Sequence, residues 1–577
     1  MDNRQTIDQT AIWKALAQHQ KSFDQRSLKD LFSSDADRGE HFAVEAAGIY
    51  FDYSKNHLTE DTLALLEELA QKVDLDQHIT ALFHGAHVNQ SEDRPALHTA
   101  LRRNFRRADA SSKPPLNKHI TDKIDQSLTQ TLEFAEALRN GSVLGSQGQI
   151  ITDVVNIGIG GSDLGSRLVV EALDRRAQTP GETPTTSSSS ASISSTISRT
   201  TNRQPAVRVH FVANVDSDDI NSTLAQCQPG TTLFIISSKG FSTLETLNNA
   251  ELAKRWLLQK GIKSEHLGSH FIAVTEQTDK ALAWGIDRQR ILELGEWIGG
   301  RFSLWSAMGL PIAIALGTQR FKELLSGAAA MDQHFEQAPL RENLPLLHGL
   351  INIWQINFWG CSSRAVLPYV HKLQKLPDYL QQLIMESLGK SVDQNGDALN
   401  MATGQVIWGS EETNGQHSFH QLLLQGTERI PTDFIVSLRP HCNDAEHRKL
   451  YANCLAQSQV LMSGAEPTQA DNDPLASHRT IAGDRPSNTL ILDELSPHCL
   501  GALLAFYEHS VYVQSVVWGI NPFDQWGVEE GKHIGKSIEK ALSQEAYSQT
   551  KDNASRHKDL SHDSSTHALI ERYKTHS

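Results

Sequence analysis

The sequence is poor in the features that mark secreted, membrane-spanning and disulfide-stabilised proteins. Its five cysteines are scattered and form no C-x-x-C pair, so we expect free thiols in a reducing compartment. The longest apolar stretch, residues 307–316, contains Pro311 and is shorter than the roughly 20 residues that span a bilayer. The polar start, MDNRQTIDQT, has no apolar signal-peptide core. We therefore expect a soluble cytoplasmic protein without a membrane partner.

Basic residues are too few for a nucleic-acid-binding field. Lys and Arg number 53 against 68 Asp and Glu, a formal net charge of −15, so we expect no nucleic acid partner. This charge does not exclude a small anionic substrate, because screening at physiological salt limits charge interactions to roughly 8 Å. At 577 residues the chain is too long for one hydrophobic core, and we expect two or more domains.

Sequence motifs for metals and nucleotides are also missing. There is no H-E-x-x-H, EF-hand or paired C-x-x-C motif, so we expect no metal. The GKS strings at 389–391 and 535–537 resemble the end of a P-loop, but Ile384 and Glu530 replace its first glycine. We therefore expect no ATP site of that type, and no organic cofactor.

The sequence does contain a regular alternation of strand-like and helix-like segments. Between residues 150 and 275, apolar runs such as ITDVVNI, TTLFIIS and HFIAVT alternate with helix-like segments, and a second alternation follows at 310–510. This pattern predicts the α/β class, with parallel sheets flanked by helices. The first ~120 residues are predicted to be helical. Residues 179–205 contain 15 Ser or Thr among 27 and predict a mobile surface loop.

A glycine-rich loop, GIGGSD at residues 158–163, follows the first strand-like run. Its glycines allow a ligand to approach the backbone closely, and the helix after it offers free N–H groups to a phosphate or sugar oxygen. The dinucleotide pattern G-x-G-x-x-G fails at its last position, Asp163. A tight structural turn explains this loop equally well.

A hydroxyl-rich loop follows the strand-like run TTLFIIS. Ser242-x-x-Glu245 matches a capping box and predicts that a helix starts there. Ser238, Lys239 and Thr243 combine two hydroxyls with one cation, which suits a phosphate dianion. We therefore expect phosphate contact from these three residues and helix capping from the other two.

Three further segments hold potential acid–base groups. Glu386 lies beside the apolar stripe of a predicted helix, His417 is one of 26 histidines, and residues 523–532 combine Asp, Gln, Glu and Lys. Each has an ordinary explanation as well: a solvated helix face, a surface histidine, and a turn that leads into a helix. Taken singly, none of the three identifies a reaction.

The order of these segments along the chain is far more specific than any one of them. The strings IGIGGSDLG, SSKGFSTLET, GGRFSLWSAMGLPI, LPDYLQQLIMES, GQHSFHQLLLQGT and NPFDQWGVEEGK, in this order, resemble the glucose-6-phosphate isomerase (phosphoglucose isomerase) family. FDYSKNHLT, EDRPALHTALR and HDSSTHALI extend the resemblance over nearly the whole chain. The Ser/Thr-rich segment at 179–205 has no counterpart in the family.

The resemblance implies a fold of two sugar-isomerase (SIS) domains, each a three-layer α/β/α arrangement around a parallel sheet. We expect a helical segment at 1–120, a first SIS domain at 121–305, a second at 306–515 and a helical C-terminal arm at 516–577. The resemblance also implies a homodimer in which both subunits complete each active site, with a hexose 6-phosphate as the substrate.

The resemblance also implies a role for each matched residue. Glu386 would be the base that moves a proton between C1 and C2, and Arg301 would stabilise the enediol(ate). His417 and Lys532 would assist opening of the sugar ring. The residues implied in substrate or phosphate binding are Gly161, Ser162, Ser238, Lys239, Gly240, Thr243, Gln382 and Gln525. The chain departs from the family pattern at Gly240, where a phosphate-binding Thr is usual, and at Leu388, where an Asn is usual.

The implied activity is the reversible isomerisation of glucose 6-phosphate and fructose 6-phosphate through a cis-enediol, in glycolysis and gluconeogenesis, without a cofactor. The residue types suit this chemistry, because one carboxylate can carry the proton and a guanidinium can stabilise an anionic intermediate. Two alternatives stay open: a non-catalytic sugar-phosphate sensor on the same domains, and an isomerase for another substrate such as mannose 6-phosphate.

Overall fold

The computed structural model describes most of the chain. The described residues are 6–23, 25–106, 116–174, 207–440, 443–467, 474–543 and 562–576. The Ser/Thr-rich segment at 179–205, predicted to be mobile, lies outside them, as does Cys442. The other four cysteines are buried free thiols. The chain divides into two compact units, Met1–Phe523 and Asp524–Ser577, which are described separately.

The described residues form strands and helices that we number along the chain. The strands are β1 (Ala43–Ala46), β2 (Ile49–Asp52), β3 (Asp153–Ile157), β4 (Arg208–Val212), β5 (Thr232–Ser237), β6 (Phe271–Thr275), β7 (Ile291–Glu293), β8 (Ser363–Pro368), β9 (Val406–Trp408), β10 (Thr432–Ser437) and β11 (Ser487–Leu492). The helices are α1 (Ala11–Gln20), α2 (Leu28–Ser34), α3 (Arg38–His41), α4 (Glu60–Lys72), α5 (Leu75–Phe83), α6 (Lys118–Arg139), α7 (Leu164–Leu173), α8 (Ser217–Leu224), α9 (Leu244–Gln259), α10 (Thr278–Trp284), α11 (Leu310–Leu316), α12 (Thr318–Gln337), α13 (Leu344–Ile353), α14 (Leu376–Leu380), α15 (His420–Gln425), α16 (Asp444–Ser463), α17 (Ala476–Arg479), α18 (Pro497–Trp518), α19 (Glu529–Ser543) and α20 (Ser564–His576).

The first sheet has five parallel strands in the order β4-β3-β5-β6-β7. Every residue of β3, β5 and β6 is buried, as expected for strands whose two faces are both covered. Helices α7 and α9 follow β3 and β5, so the alternation seen in the sequence reflects strand–helix–strand units. The predicted α/β class with a parallel sheet is confirmed here.

The second sheet has six strands in the order β1-β2-β11-β10-β8-β9. Strands β8 to β11 are parallel to one another, whereas β1 pairs antiparallel with β2, and β2 with β11. The prediction that residues 1–120 are helical is therefore wrong at 43–52. This short hairpin is stabilised by pairing with β11, for example Asp52 with Thr489, and such distant pairing leaves no local signal.

A central helix, α18, packs against α12 and α13. Nearly all of its residues are buried, so this helix lies within the core and not along the surface. The core also encloses an ion-pair cluster in which Arg102 contacts Asp332 at 2.6 Å and Glu508 at 2.8 Å. The opposite charges compensate one another, as buried charges require. Among the described residues, no helix combines the length and apolar character needed to cross a membrane.

Two helices of the first unit widen into π-helical turns at their carboxyl ends. α13 continues into Trp354–Phe358, and α14 continues into Gln381–Glu386. The helical apolar pattern does not predict this, because a π turn inserts one extra residue without removing the helical periodicity around it. Glu386 is the last residue of the second π turn, so this turn determines the direction of its side chain.

The second unit contains α19 and α20. The Asp563 carboxylate caps α20 by accepting hydrogen bonds from the backbone N–H groups of Ser565 at 2.9 Å and Thr566 at 3.1 Å. The arm expected at 516–577 is helical at 529–543 and 564–576, while α18 and the turn through Phe523 belong to the first unit. The first unit holds both sheets, and the boundary expected at 305/306 stays a prediction.

Candidate active site

Two loops that the sequence analysis singled out lie at the carboxyl edge of the first sheet. β3 and β5 are adjacent parallel strands. Residues 158–163 connect β3 to α7, and residues 238–243 connect β5 to α9. In open α/β sheets, ligands bind in the crevice outside the carboxyl ends of the strands. The two loops predicted to contact a phosphate or sugar therefore share one edge of the sheet.

The first loop packs backbone to backbone on the segment that carries Arg301. Gly160 has a φ of 56°, in the left-handed region that favours glycine. A Cβ atom added to Gly161 would lie 2.2 Å from the carbonyl carbon and oxygen of Gly300. Arg301 lies in the same 3-10 turn as that carbonyl. Gly161 and Arg301, both predicted from sequence, are thus brought together.

Side-chain hydrogen bonds attach this first loop to its surroundings. The amide of Asn156 donates to the carbonyl oxygen of Ser162 at 3.0 Å and accepts a hydrogen bond from the Ser237 hydroxyl at 2.7 Å. The Ser303 hydroxyl donates to the carbonyl oxygen of Gly161 at 3.2 Å. Asn156, Ser237 and Ser303 were not predicted from sequence. The available signal was an amide inside an apolar strand, which needs a buried partner.

In the second loop, the hydroxyls of Ser238 and Thr243 lie 3.3 Å apart. Thr243 is the N-cap residue of α9, and its hydroxyl does not bond to the helix backbone. The positive end of the helix is therefore uncapped by a side chain, which favours an anion at this position. The predicted capping box of Ser242 and Glu245 is wrong, because α9 begins one residue later than that pattern requires.

The Lys239 side chain is engaged within the protein. Its ammonium donates to the carbonyl oxygen of Glu296 at 3.1 Å and lies 3.8 Å from the Glu276 carboxylate. Burial lowers the pKa of Lys239, because desolvation disfavours its charged form. At Gly240, the next residue, an added Cβ would lie 3.2 Å from the Ser242 hydroxyl, a tight contact that a small shift of this side chain relieves.

Arg301 and Glu386 form an ion pair although 85 positions separate them. Nη1 of Arg301 donates to Oε2 of Glu386 at 3.0 Å, while its Nη2 donates to the carbonyl oxygen of Pro522. The Arg301 side chain is 1% exposed and the Glu386 side chain 24% exposed. Within the described residues, the second carboxylate oxygen, Oε1, accepts no hydrogen bond. A buried cation therefore holds one oxygen of a carboxylate whose other oxygen is uncommitted.

Two neighbours on the π turn and just beyond it fix this ion pair. The Ser387 hydroxyl accepts a hydrogen bond from Nε of Arg301 at 2.7 Å. The amide of Gln382 donates to Oε2 of Glu386 at 3.2 Å. The same amide lies beside the first loop, because a Cβ added to Gly160 would be 2.9 Å from its Nε2. The glycine loop, the arginine and the glutamate thus belong to one cluster.

Ser387 and Leu388 directly follow the carboxylate. Ser387 is fully buried, and sequence analysis missed it, although a hydroxyl next to a candidate base was a usable signal. Leu388, the second departure from the family pattern, is also fully buried and belongs to the main hydrophobic core. Its side chain therefore packs inside the protein and does not face a ligand.

His417 lies on the surface of the first unit. It ends the 3-10 turn Gly415–His417, and its exposed side chain makes no hydrogen bond or ion pair with other described residues. The Glu412 carboxylate fixes this turn by accepting from the backbone N–H of Gln416 at 2.9 Å and contacting Nε2 of His420 at 3.0 Å. Within this chain, His417 does not join the Arg301–Glu386 pair.

Lys532 and Gln525 belong to the second unit. Lys532 lies on the first turn of α19, where its exposed ammonium donates to Oε1 of Glu529 at 2.6 Å. Gln525 precedes the 3-10 turn Trp526–Val528. The roles expected of both residues stay predictions.

Comparison with known proteins shows similarity over almost the whole chain. Residues 52–570 match the family model of phosphoglucose isomerase. The glucose-6-phosphate isomerase of Saccharophagus degradans is 43% identical over 555 residues, which cover 94% of this chain and 95% of that protein. The enzyme of the same name from Pseudomonas putida is 46% identical over 550 residues, which cover 93% of this chain and 94% of that protein. The crystal structure of a glucose-6-phosphate isomerase from Chlamydia trachomatis aligns with a TM-score of 0.80 at 29% identity, covering 99% of this chain and 100% of that one.

Proposed function

This chain belongs to the phosphoglucose isomerase family, and from that membership we propose that it interconverts glucose 6-phosphate and fructose 6-phosphate. This step serves glycolysis and gluconeogenesis. The observation that carries the proposal is the 3.0 Å contact between Arg301 and Glu386, which lies beside the glycine loop at the carboxyl edge of the first sheet. The reaction moves hydrogen within one molecule, so its redox balance requires no external oxidant or reductant.

The phosphate group is held by the two loops at the carboxyl edge of the first sheet. The hydroxyls of Ser162, Ser238 and Thr243 and the backbone N–H groups of 239 and 240 are the donors we assign to it. The 3.3 Å separation of the Ser238 and Thr243 hydroxyls and the uncapped start of α9 support this assignment. Lys239 contributes its N–H, because its ammonium is engaged with Glu296 and Glu276.

Glu386 acts as the base that carries the proton. Oε1 accepts no hydrogen bond among the described residues, so it is the oxygen that removes the proton from C2 and returns it at C1. Oε2 is held by Arg301 and Gln382, which prevents the carboxylate from rotating during the transfer. Positioned acid–base groups of this kind contribute about 10² to 10⁴-fold in rate.

Arg301 stabilises the negative charge of the enediolate. Its guanidinium keeps its charge, and its surroundings exclude most water, so the attraction for an anionic intermediate is stronger than in solution. The Ser387 hydroxyl fixes the guanidinium by accepting the hydrogen bond of Nε. Gly161, Gln382 and Gln525 complete the substrate site in this proposal.

Ring opening involves His417 and Lys532, in a homodimer whose active sites are shared between subunits. The exposure of His417 and its lack of a partner among the described residues support a position that a second copy of the chain covers. In the dimer, His417 of the partner subunit reaches the sugar ring. We also propose a cytoplasmic location and two SIS domains at 121–305 and 306–515.

The test is turnover by purified protein treated with a chelator. Fructose 6-phosphate is converted to glucose 6-phosphate, and a coupled dehydrogenase reports the product as NADPH. We expect activity without added metal. Glu386→Gln should fold normally and lose about 10² to 10⁴-fold in kcat. Glu133→Gln, an exposed glutamate of α6, is the matched control and should retain full activity.

The assay also separates the alternatives. Tight binding of hexose phosphates without turnover would support the sensor. A higher kcat/KM for mannose 6-phosphate than for glucose 6-phosphate would support the alternative that the protein is an isomerase of mannose 6-phosphate. Wild-type turnover by Glu386→Gln would refute the assigned base.

A further inference from the structure

Three residues with different metal-ligating atoms converge at the amino-terminal edge of the first sheet. Asp153 is the first residue of β3, His210 lies in the adjacent strand β4, and Cys227 lies in the connection from α8 to β5. The proposed substrate loops lie at the opposite, carboxyl edge of the same strands. This cluster, which we call the Asp–His–Cys cluster, is therefore separate from the proposed catalytic site.

The geometry of the cluster fits a tetrahedral ion after small side-chain movements. The ligand atoms of the three residues all lie within 4.8 Å of one another, and His210 Nε2 is 2.9 Å from an oxygen of Asp153. Bonds of about 2.0–2.3 Å in a tetrahedral zinc site place ligand atoms roughly 3.3–3.7 Å apart. For all three atoms to bind one ion, the longest separation must shrink by about 1 Å.

We propose that Asp153, His210 and Cys227 bind a zinc ion that stabilises this edge of the sheet. Among the described residues, this is the group of three ligand side chains close enough to share one ion. Asp153 is 1% exposed and His210 is 16% exposed, so the ion would be largely enclosed with one side open to water. It would tie β3, the edge strand β4 and the α8–β5 connection together.

The donor set selects the metal. One oxygen, one imidazole nitrogen and one sulfur suit zinc, whereas magnesium and calcium require more oxygen ligands than the cluster offers. The Cys227 side chain is buried, and zinc, unlike magnesium and calcium, binds sulfur ligands strongly.

Arg208 is the competitor for this site. Its guanidinium contacts both oxygens of Asp153, with Nε at 2.9 Å from one and Nη2 at 3.0 Å from the other. Its side chain is 59% exposed, so it can leave the carboxylate and turn to solvent at small cost. Zinc and Arg208 should therefore exclude each other at Asp153, and removal of Arg208 should strengthen metal binding.

Cobalt(II) is the probe, because a thiolate bound to it produces a charge-transfer band that other ligands do not. The full chain is made metal-free and titrated with cobalt, then with zinc to displace it. Cys442 follows His441 directly in the sequence, and these two residues could bind cobalt by themselves. Every protein in the titration therefore carries Cys442→Ser. Cys499→Ser is the matched control, since Cys499 is buried near carboxylates but belongs to no such group of three.

We expect one thiolate–cobalt band per chain that zinc abolishes. Cys227→Ser should lose the band, and His210→Gln should weaken binding by at least about 10-fold. Arg208→Gln should bind cobalt more tightly than the reference protein, which carries Cys442→Ser alone. Cys499→Ser should bind cobalt as tightly as the reference protein. Circular dichroism checks that each variant folds, and zinc should raise the thermal midpoint of the reference but not of Cys227→Ser.

The absence of a band at millimolar cobalt would overturn the proposal. A band that persists in Cys227→Ser, or binding that is unchanged in His210→Gln, would also overturn it. Isomerase turnover is not the readout, so failure of the proposed catalytic function would leave this test unaffected.

Discussion

Replacement of Gly161 by alanine tests whether the contact between the glycine loop and the arginine turn determines activity. The added methyl carbon would lie 2.2 Å from the carbonyl carbon and oxygen of Gly300 and 2.7 Å from the backbone nitrogen of Arg301. All three atoms belong to backbone, so no side chain can rotate out of the way. The two segments must therefore move apart, and Arg301 must move with its turn.

The size of the displacement follows from ordinary contact distances. Non-bonded carbon atoms prefer separations of about 3.5–4.0 Å, so a 2.2 Å approach requires the segments to separate by more than 1 Å. A misplacement of about 1 Å can cost on the order of 100-fold in rate. We expect kcat of Gly161→Ala to fall by about that factor, because Arg301 and the phosphate loop lose their relative position.

Two matched glycine variants separate this effect from general damage. Gly300→Ala changes the other partner of the same contact, but its added carbon would meet nothing within 4 Å, so kcat should stay within about threefold. Gly327→Ala would place a carbon 1.8 Å from the carbonyl oxygen of His498 in the core, so it should lower stability. Its folded fraction should still turn over normally. Steady-state kinetics and thermal unfolding decide the matter, and a Gly161→Ala enzyme with wild-type kcat would refute the reasoning.

Three further changes have defined expectations. Gly240→Thr adds a hydroxyl where an added carbon meets only a neighbouring hydroxyl at 3.2 Å, so KM for fructose 6-phosphate should fall by up to about tenfold; an increase would show that the loop cannot accept the side chain. Ser387→Ala removes the 2.7 Å acceptor of Nε of Arg301 and should lower the free energy of unfolding by about 1–3 kcal/mol, with a lower kcat; Ser217→Ala, at the exposed start of α8, should change neither. Burial lowers the pKa of His334 to about 4, so between pH 6.5 and 4 the unfolded chain binds a proton that the folded chain rejects. The free energy of unfolding should therefore fall by about 3 kcal/mol as the pH drops from 6.5 to 4. In urea unfolding, His334→Gln should lose less than the wild type over the same interval; an equal loss would show that other groups cause the acid sensitivity.

The part of the fold that local sequence determines was predictable. β3, β5 and β6 are buried runs followed by loops and helices, and their composition identifies them without any distant information. The hairpin of β1 and β2 was not predictable in this way, since its partner β11 lies far along the chain. β11 pairs in parallel with the preceding strand β10, and both lie within the alternation predicted at 310–510.

The candidate site was predictable only as an ordered set of motifs. A lone helical glutamate such as Glu386 carries little information, and its contact with Arg301 spans 85 positions. The order of the motifs identified Glu386 and Arg301 as candidate site residues, but it did not identify their hydrogen-bond partners. Ser387 and Asn156 act through hydrogen bonds to partners in other segments, and such pairings appear only once the chain has folded.

The glycine loop at 158–163 contacts the turn that carries Arg301 through backbone atoms and the π turn that carries Glu386 through a side chain. Gly161 abuts the carbonyl of Gly300, and Gly160 abuts the Gln382 amide that also holds Glu386. The distance from the glycine loop to the base therefore depends on the backbone contact at Gly300 and on the Gln382 side chain, and both contacts are closely packed. A change in the loop should thus reach the base through the π turn. It follows that substitutions in the glycine loop should lower kcat together with substrate affinity, because this loop positions the carboxylate as well as the substrate.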